Sequence, residues 1–130
     1  MRSIKAYPPN WTELTKHFPI KGKQGVLYAW GDIIYNPSGI IIPPWVERHE
    51  EVHGDRQRDE GMSIERWWDE YVNYNDFRLK EEILAHRVEW QKFSGPYRDH
   101  YLGYMGERLS GPLYGNLITY EEAIKEITSK

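Results

Sequence analysis

The chain contains no cysteine among its 130 residues. Disulfide bonds and thiolate ligands are therefore excluded, so any bound metal ion would have to be held by histidine and carboxylate side chains. Long apolar runs are also missing, both at the N-terminus and further along the chain. Because a signal peptide or a membrane-spanning helix requires such a run, we expect a protein that is made in a cytoplasm and has no membrane partner.

A surplus of charge of one sign is absent too. The chain carries 17 basic and 20 acidic side chains, for a net charge of −3. Nucleic acids attract proteins through concentrated positive charge, so we expect no nucleic-acid partner. Aromatic residues are plentiful, with 6 Trp and 10 Tyr. Such large side chains can build a core, and the length suits one domain over residues 1–130, with residues 1–23 as an N-terminal arm that can pack loosely.

Short β-rich runs precede a series of helical patterns. The turn signal Asn-Pro-Ser-Gly at 36–39 predicts an antiparallel hairpin of 32–35 with 39–42, which a third strand at 26–30 can join. Helices are predicted at 44–59, 64–74, 76–93 and 97–109, with a helical turn at 11–17 and a last helix opened by the capping box of Thr119 and Glu122. We therefore expect an α+β domain, a short antiparallel hairpin or small sheet packed on three to four helices.

The predicted helix 44–59 carries two histidines four residues apart, His49 and His53, with Glu50 directly after the first. Residues at this spacing lie on one face of a helix, so both imidazoles can bind one ion, as in the H-E-x-x-H zinc site. Glu50 is rotated away from the pair, where its carboxylate can take a proton from a water held on the zinc. The composition predicts only about 0.02 chance occurrences of this motif. Surface histidines that bind no metal are the alternative.

A catalytic zinc site requires a third protein ligand, and the predicted helix 76–93 offers one. Glu82 lies on the same side of that helix as its apolar stripe, so its carboxylate faces the packed side. Burying an unpaired carboxylate is unfavourable, whereas ligation of a metal removes that penalty. Glu81 is the alternative third ligand. Gln57 continues the row of histidines, but we expect a polar neighbour there because a neutral amide is a poor zinc donor.

Two short strings, HEEVH from His49 and EILAH from Glu82, together resemble the gluzincin arrangement, H-E-x-x-H followed on a later helix by E-x-x-A/S-D. The resemblance implies a minimal zincin-like fold. It also implies a bound Zn²⁺ held by His49, His53 and Glu82, with Glu50 as the catalytic base. His86 stands where the family has Asp, so the role of this position around the ligands stays open.

Three further side chains are candidates for supporting roles: His86, which can orient a ligand, and His100 and Tyr101, which can stabilise an oxyanion. The run 39–43 can act as an edge strand that pairs with an extended substrate, or it is an ordinary edge strand. Residues 28–130 also resemble small metallopeptidase-like proteins encoded by bacteriophages. That resemblance implies the cytoplasm of a host cell, or association with a virion.

These residues predict a zinc-dependent hydrolase, a metallopeptidase that cleaves a peptide or amide bond by glutamate-assisted attack of zinc-bound water. We expect a peptide or protein substrate, and the peptides of peptidoglycan are one option. Two alternatives stay open. One is a non-catalytic, zinc-stabilised phage structural or interaction domain, and the other is a helical interaction module whose histidines lie on the surface.

Overall fold

The computed structural model describes residues 1–129. Within them the chain forms three short strands and six helices, which confirms the expected α+β class. The strands are β1 (Arg2–Ile4), β2 (Tyr28–Trp30) and β3 (Ile33–Tyr35). The helices are α1 (Trp11–His17), α2 (Pro44–Gln57), α3 (Ile64–Asn73), α4 (Asn75–Lys92), α5 (Arg98–Ser110) and α6 (Tyr120–Thr128). No helix in this described part of the chain is long and apolar enough to cross a membrane.

The sheet has the order β1-β3-β2, with β1 parallel and β2 antiparallel to β3. The predicted pairing of 32–35 with 39–42 is wrong, because residues 39–42 form no strand. The Asn36 side chain donates to the Ile40 carbonyl over 2.9 Å and accepts from the Ile40 N–H over 3.2 Å. These bonds engage the backbone of the segment in a local turn, and β1 takes the edge of β3 that the segment would have used.

The N-terminal arm, residues 1–23, contacts the rest of the protein at two places. Strand β1 supplies one edge of the sheet. Leu14 and Ile20 are 1% and 3% exposed and belong to the main hydrophobic core. A side chain of this size contributes about 1.5–3 kcal/mol when it is buried, so the core holds the arm in place.

Helix α2 lies directly against the turn between β2 and β3. Gly54 makes this approach possible, because a Cβ atom built on it would lie 2.1 Å from the carbonyl oxygen of Gly31. Gln57 accepts a hydrogen bond from the Gly31 N–H over 2.6 Å and donates one to the Ala29 carbonyl over 3.0 Å. These contacts fix the rotation of α2 about its axis, and they therefore decide which of its side chains face the interior.

Helix α4 packs against α2 and α3, and the fully buried Glu81 joins all three. Its carboxylate accepts hydrogen bonds from Arg56 Nε of α2 over 2.6 and 2.7 Å, and from Trp67 Nε1 of α3 over 2.6 Å. A buried carboxylate that is paired in this way locks the register of the helices. The predicted capping box of Thr119 and Glu122 is confirmed at the start of α6.

Candidate metal centre

The inward face of α2 carries the residues of the H-E-x-x-H motif. His49, Glu50 and His53 are 7%, 6% and 4% exposed, and the two imidazole rings lie 4.9 Å apart. The potential ligand atoms of these three residues lie within 4.8 Å of one another. Burial of both histidines contradicts the alternative in which they are surface residues.

Helix α4 brings Glu82 to the same point. Its Oε1 lies 3.2 Å from His49 Nε2, and its Oε2 lies 3.2 Å from His53 Nε2. Among residues 1–129, Glu82 Oε1 and both ring nitrogens of His53 have no hydrogen-bond partner although they are buried. These atoms therefore lie at ion-pair distance from one another without hydrogen-bond geometry.

This arrangement fits a shared metal ion. Two ligands bound to tetrahedral zinc at ordinary bond lengths lie about 3.3 Å apart, which is close to the separations observed here. Leaving buried polar atoms without partners costs about 1–3 kcal/mol each, and a cation bound between them would remove that cost. The donor set, two imidazoles and one carboxylate, is one that Zn²⁺ accepts.

Glu89, seven residues beyond Glu82 on α4, holds the first histidine in place. His49 Nδ1–H donates to Glu89 Oε1 over 2.7 Å, and His86 Nδ1–H donates to the same oxygen over 3.1 Å. Burial raises the pKa of Glu89, but these hydrogen bonds outweigh it and hold the pKa well below its usual value. This bond engages Nδ1 of His49 and leaves Nε2, which faces Glu82, as the nitrogen that could bind a metal ion.

The third-ligand candidate is oriented by a tyrosine. The Tyr71 hydroxyl of α3 donates to Glu82 Oε2 over 2.5 Å. Burial raises the pKa of Glu82, but His53 and His49 act against it and hold the pKa well below its usual value. Glu82 is therefore ionised in a buried place, as a metal ligand has to be.

Glu50 differs from the other buried carboxylates because it lacks a partner. Its Oε2 is buried and has no hydrogen-bond partner within residues 1–129. Burial raises the pKa of its carboxyl, and His49 and His53 oppose that rise. The group lines the cavity described below, so it is placed to act on a bound molecule.

Two of the three supporting candidates, His86 and Tyr101, donate hydrogen bonds to Glu89. His86 has partners on both ring nitrogens, since Nδ1 donates to Glu89 and Nε2 accepts from the Tyr114 hydroxyl over 3.4 Å. Its atoms lie within 4.8 Å of those of His49 and Glu82, but these hydrogen bonds engage it as a neighbour of the ligands. His100 is exposed and lines the cavity.

Tyr101, Glu81 and Gln57 all have hydrogen-bond partners other than His49, His53 and Glu82. The Tyr101 hydroxyl donates to Glu89 Oε2, so it supports the carboxylate that orients His49. Glu81, the alternative third ligand, is bound to Arg56 and Trp67 on the other side of α4. Gln57 is hydrogen-bonded to the backbone of the sheet, as expected for a polar neighbour.

The sequence patterns did not indicate the hydrogen bonds that Glu89 and Tyr71 make to the site. A signal for Glu89 was present, because it follows Glu82 by seven residues and His86 by three, on the same helix face. A carboxylate thus stands one turn later than the Asp of the gluzincin pattern. No comparable signal exists for Tyr71, which comes from a different helix.

A cavity of about 610 Å³ opens beside the cluster. Its walls combine the polar site with apolar side chains from α1, α2, α5 and the segments before α2. Ile41 and Tyr97 are 93% and 82% exposed and line it where it meets solvent. Cavities of a few hundred cubic ångströms enclose ligands the size of a short peptide or a drug molecule.

No family model, curated protein or solved structure matches the chain.

Proposed function

We propose that the protein is a zinc-dependent hydrolase, a peptidase in which His49, His53 and Glu82 hold the metal ion and Glu50 is the base. The observation that carries the proposal is the position of Glu50. Its carboxylate is buried, lines the cavity and has Oε2 without a partner among residues 1–129, beside ligand atoms that also lack partners. A structural cross-link would need the ligand atoms but would have no use for the unpaired carboxylate.

Zinc held by these residues would supply a Lewis acid that polarises the scissile carbonyl and lowers the pKa of the attacking water. Glu50 takes a proton from that water as the new carbon–oxygen bond forms. It then gives the proton to the leaving nitrogen as the carbon–nitrogen bond breaks. Burial favours this role, because it raises the pKa of the Glu50 carboxyl and makes the carboxylate a stronger base than an exposed one.

The surrounding residues position the reacting groups. Glu89 keeps the proton of His49 on Nδ1, and Tyr71 holds the Glu82 carboxylate in place. The apolar walls of the cavity exclude water and strengthen the electrostatic interactions within it. Peptides are the substrate class that we favour, because the site offers a water-activating base beside an apolar space.

A non-catalytic zinc-stabilised domain is the second candidate. One observation favours it, namely that the ligands come from α2 and α4, so a bound ion would cross-link two core helices. Metal binding to a folded protein raises its stability, by about 2.7 kcal/mol at a free concentration one hundred times Kd. Both candidates predict zinc binding, and only the first requires Glu50.

The proposal is tested by zinc content and peptide cleavage measured on the same preparations. Wild-type protein purified without added metal should contain stoichiometric zinc, and His53→Ala should contain little. Glu50→Gln should keep its zinc, but its rate of cleavage of a mixed peptide pool should fall about 10²–10⁴-fold. Mass spectrometry measures the cleavage.

Glu51→Gln is the matched control, because Glu51 neighbours Glu50 on α2 but does not line the cavity. It should keep both zinc and activity. Zinc binding with no cleavage of any peptide would favour the structural candidate, and equal activity in Glu50→Gln would refute the role of Glu50.

A further inference from the structure

Arg108 on α5 is the only residue with a permanent positive charge among the described residues that line the cavity. No carboxylate of residues 1–129 lies within 4.0 Å of it. Four other arginines are paired with carboxylates, for example Arg56 with Glu81 and Arg87 with Glu126. Arg108 is therefore a cation that lines the cavity and is available to a carboxylate of a ligand.

Arg108 and the proposed base Glu50 line the same cavity. A cation in the last turn of a helix is also favourable for the helix dipole. That effect accounts for a basic residue at this end of α5, but it does not account for one that lines the cavity.

The remainder of the cavity favours an apolar ligand. Ile40, Ile41, Tyr97 and Tyr104 are all exposed and line its opening, at 39%, 93%, 82% and 49% exposure. Exposed apolar side chains that form a group often mark a binding surface, whereas single ones are common on any protein. The space therefore combines apolar walls, a hydrolytic centre and one cation.

We infer that Arg108 binds the terminal carboxylate of a short apolar peptide, so that the protein acts near the C-terminal end of its substrates. A guanidinium presents two parallel N–H groups to a carboxylate, and such charge-assisted pairs are stronger than neutral hydrogen bonds. A volume of about 610 Å³ suits a few residues of peptide. The reaction rests on the proposed function, whereas the binding of the carboxylate does not.

The test is equilibrium binding of three peptides. Binding is measured by the change in fluorescence of the tryptophans that line the cavity, Trp45, Trp67 and Trp68. The peptides are N-acetyl-Phe-Leu with a free carboxylate, its C-terminal amide, and N-acetyl-Phe-Glu amide, whose only carboxylate is on a side chain. Measurements use the Glu50→Gln background, so that no peptide is consumed, and both zinc-loaded and EDTA-treated protein.

The affinity for the free acid should exceed that for its amide by about tenfold or more, as expected for a charge-assisted pair. Arg108→Gln should abolish that preference with and without zinc, and Arg108→Lys, which keeps the charge but loses the planar fork, should retain part of it. Arg98→Gln is the control, because Arg98 stacks on Trp90 and does not line the cavity.

Three results would overturn the inference. A preference that survives in Arg108→Gln but disappears with EDTA would mean that the carboxylate binds the metal. Tight binding of the side-chain carboxylate with no preference for the free acid would assign Arg108 to side-chain recognition. If the Glu50→Gln protein with Arg108 intact binds the free acid and the amide equally well, Arg108 does not bind a terminal carboxylate. Cleavage without any preference for the free acid would leave the proposed function intact and refute the role of Arg108. A preference without cleavage by protein that retains Glu50 would support the role of Arg108 and refute the proposed function.

Discussion

His49 Nδ1 lies 2.7 Å from Glu89 Oε1, and these two residues are forty positions apart in the chain. The bond decides which nitrogen of His49 carries the proton, and therefore which nitrogen can bind a metal ion. It also joins α2 to α4 beside Glu82. Glu89 thus orients His49 for the ligand role that we propose.

Glu89→Gln should weaken zinc binding without unfolding the protein. The amide retains the shape but no longer provides a negative oxygen for His49 Nδ1–H, and changes of this kind reduce metal affinity about 10–100-fold. Competition with a chromophoric chelator measures the affinity. Glu107→Gln, an exposed change on α5, should leave it unaltered. Unchanged affinity in Glu89→Gln would refute the orienting role.

Glu81 and Glu82 are adjacent on α4 but should behave in opposite ways. Glu82→Ala removes a proposed ligand, so we expect the loss of zinc binding. Glu81→Ala leaves Arg56 and Trp67 without their partner, so zinc binding should persist while the free energy of unfolding falls by about 1–3 kcal/mol. Zinc titration and urea unfolding separate the two effects. If Glu81→Ala loses zinc and Glu82→Ala does not, the third-ligand assignment is reversed.

In EDTA-treated protein, Glu50→Gln should raise the free energy of unfolding, but only at pH values above the unfolded-state pKa of Glu50. Burial raises the folded-state pKa of the Glu50 carboxyl above its unfolded value. At a pH below the unfolded value both states hold the proton, so the variant and wild type should be equally stable. As pH rises through the folded value, wild type loses stability that the neutral amide keeps. Urea unfolding at a series of pH values measures this, and equal stability at high pH would contradict it.

Gly54→Ala should destabilise the fold because α2 and the sheet are in contact there. The added Cβ atom would meet the Gly31 carbonyl oxygen at 2.1 Å, and overpacking of this kind costs about 1–3 kcal/mol or more. Gly103→Ala is the control, since a Cβ atom there meets only the end of the Tyr120 side chain at 3.3 Å. Thermal unfolding should show a large decrease in Tm for Gly54→Ala and little change in Tm for Gly103→Ala.

The helices were largely predictable because their signals are local. The proline at the start of α2, the Ser63 cap of α3 and the capping box of α6 all lie within a few residues of the bonds they make. The sheet was not predictable in the same way. β1 and β3 are separated by about thirty residues, and nothing in the turn 36–39 indicates that Asn36 bonds to Ile40 in place of a returning strand.

The sequence by itself determined that His49 and His53 lie on one face of a helix with Glu50 beside them, because a helix of 3.6 residues per turn places positions 49 and 53 together. Only the tertiary structure decided which carboxylates meet them. Adjacent residues on a helix point about 100° apart, so the packing of α4 against α2 and α3 sends Glu81 to Arg56 and Glu82 to the histidines. The same packing brings Arg108 to the cavity, since it depends on how α5 lies against the core and not on any local pattern.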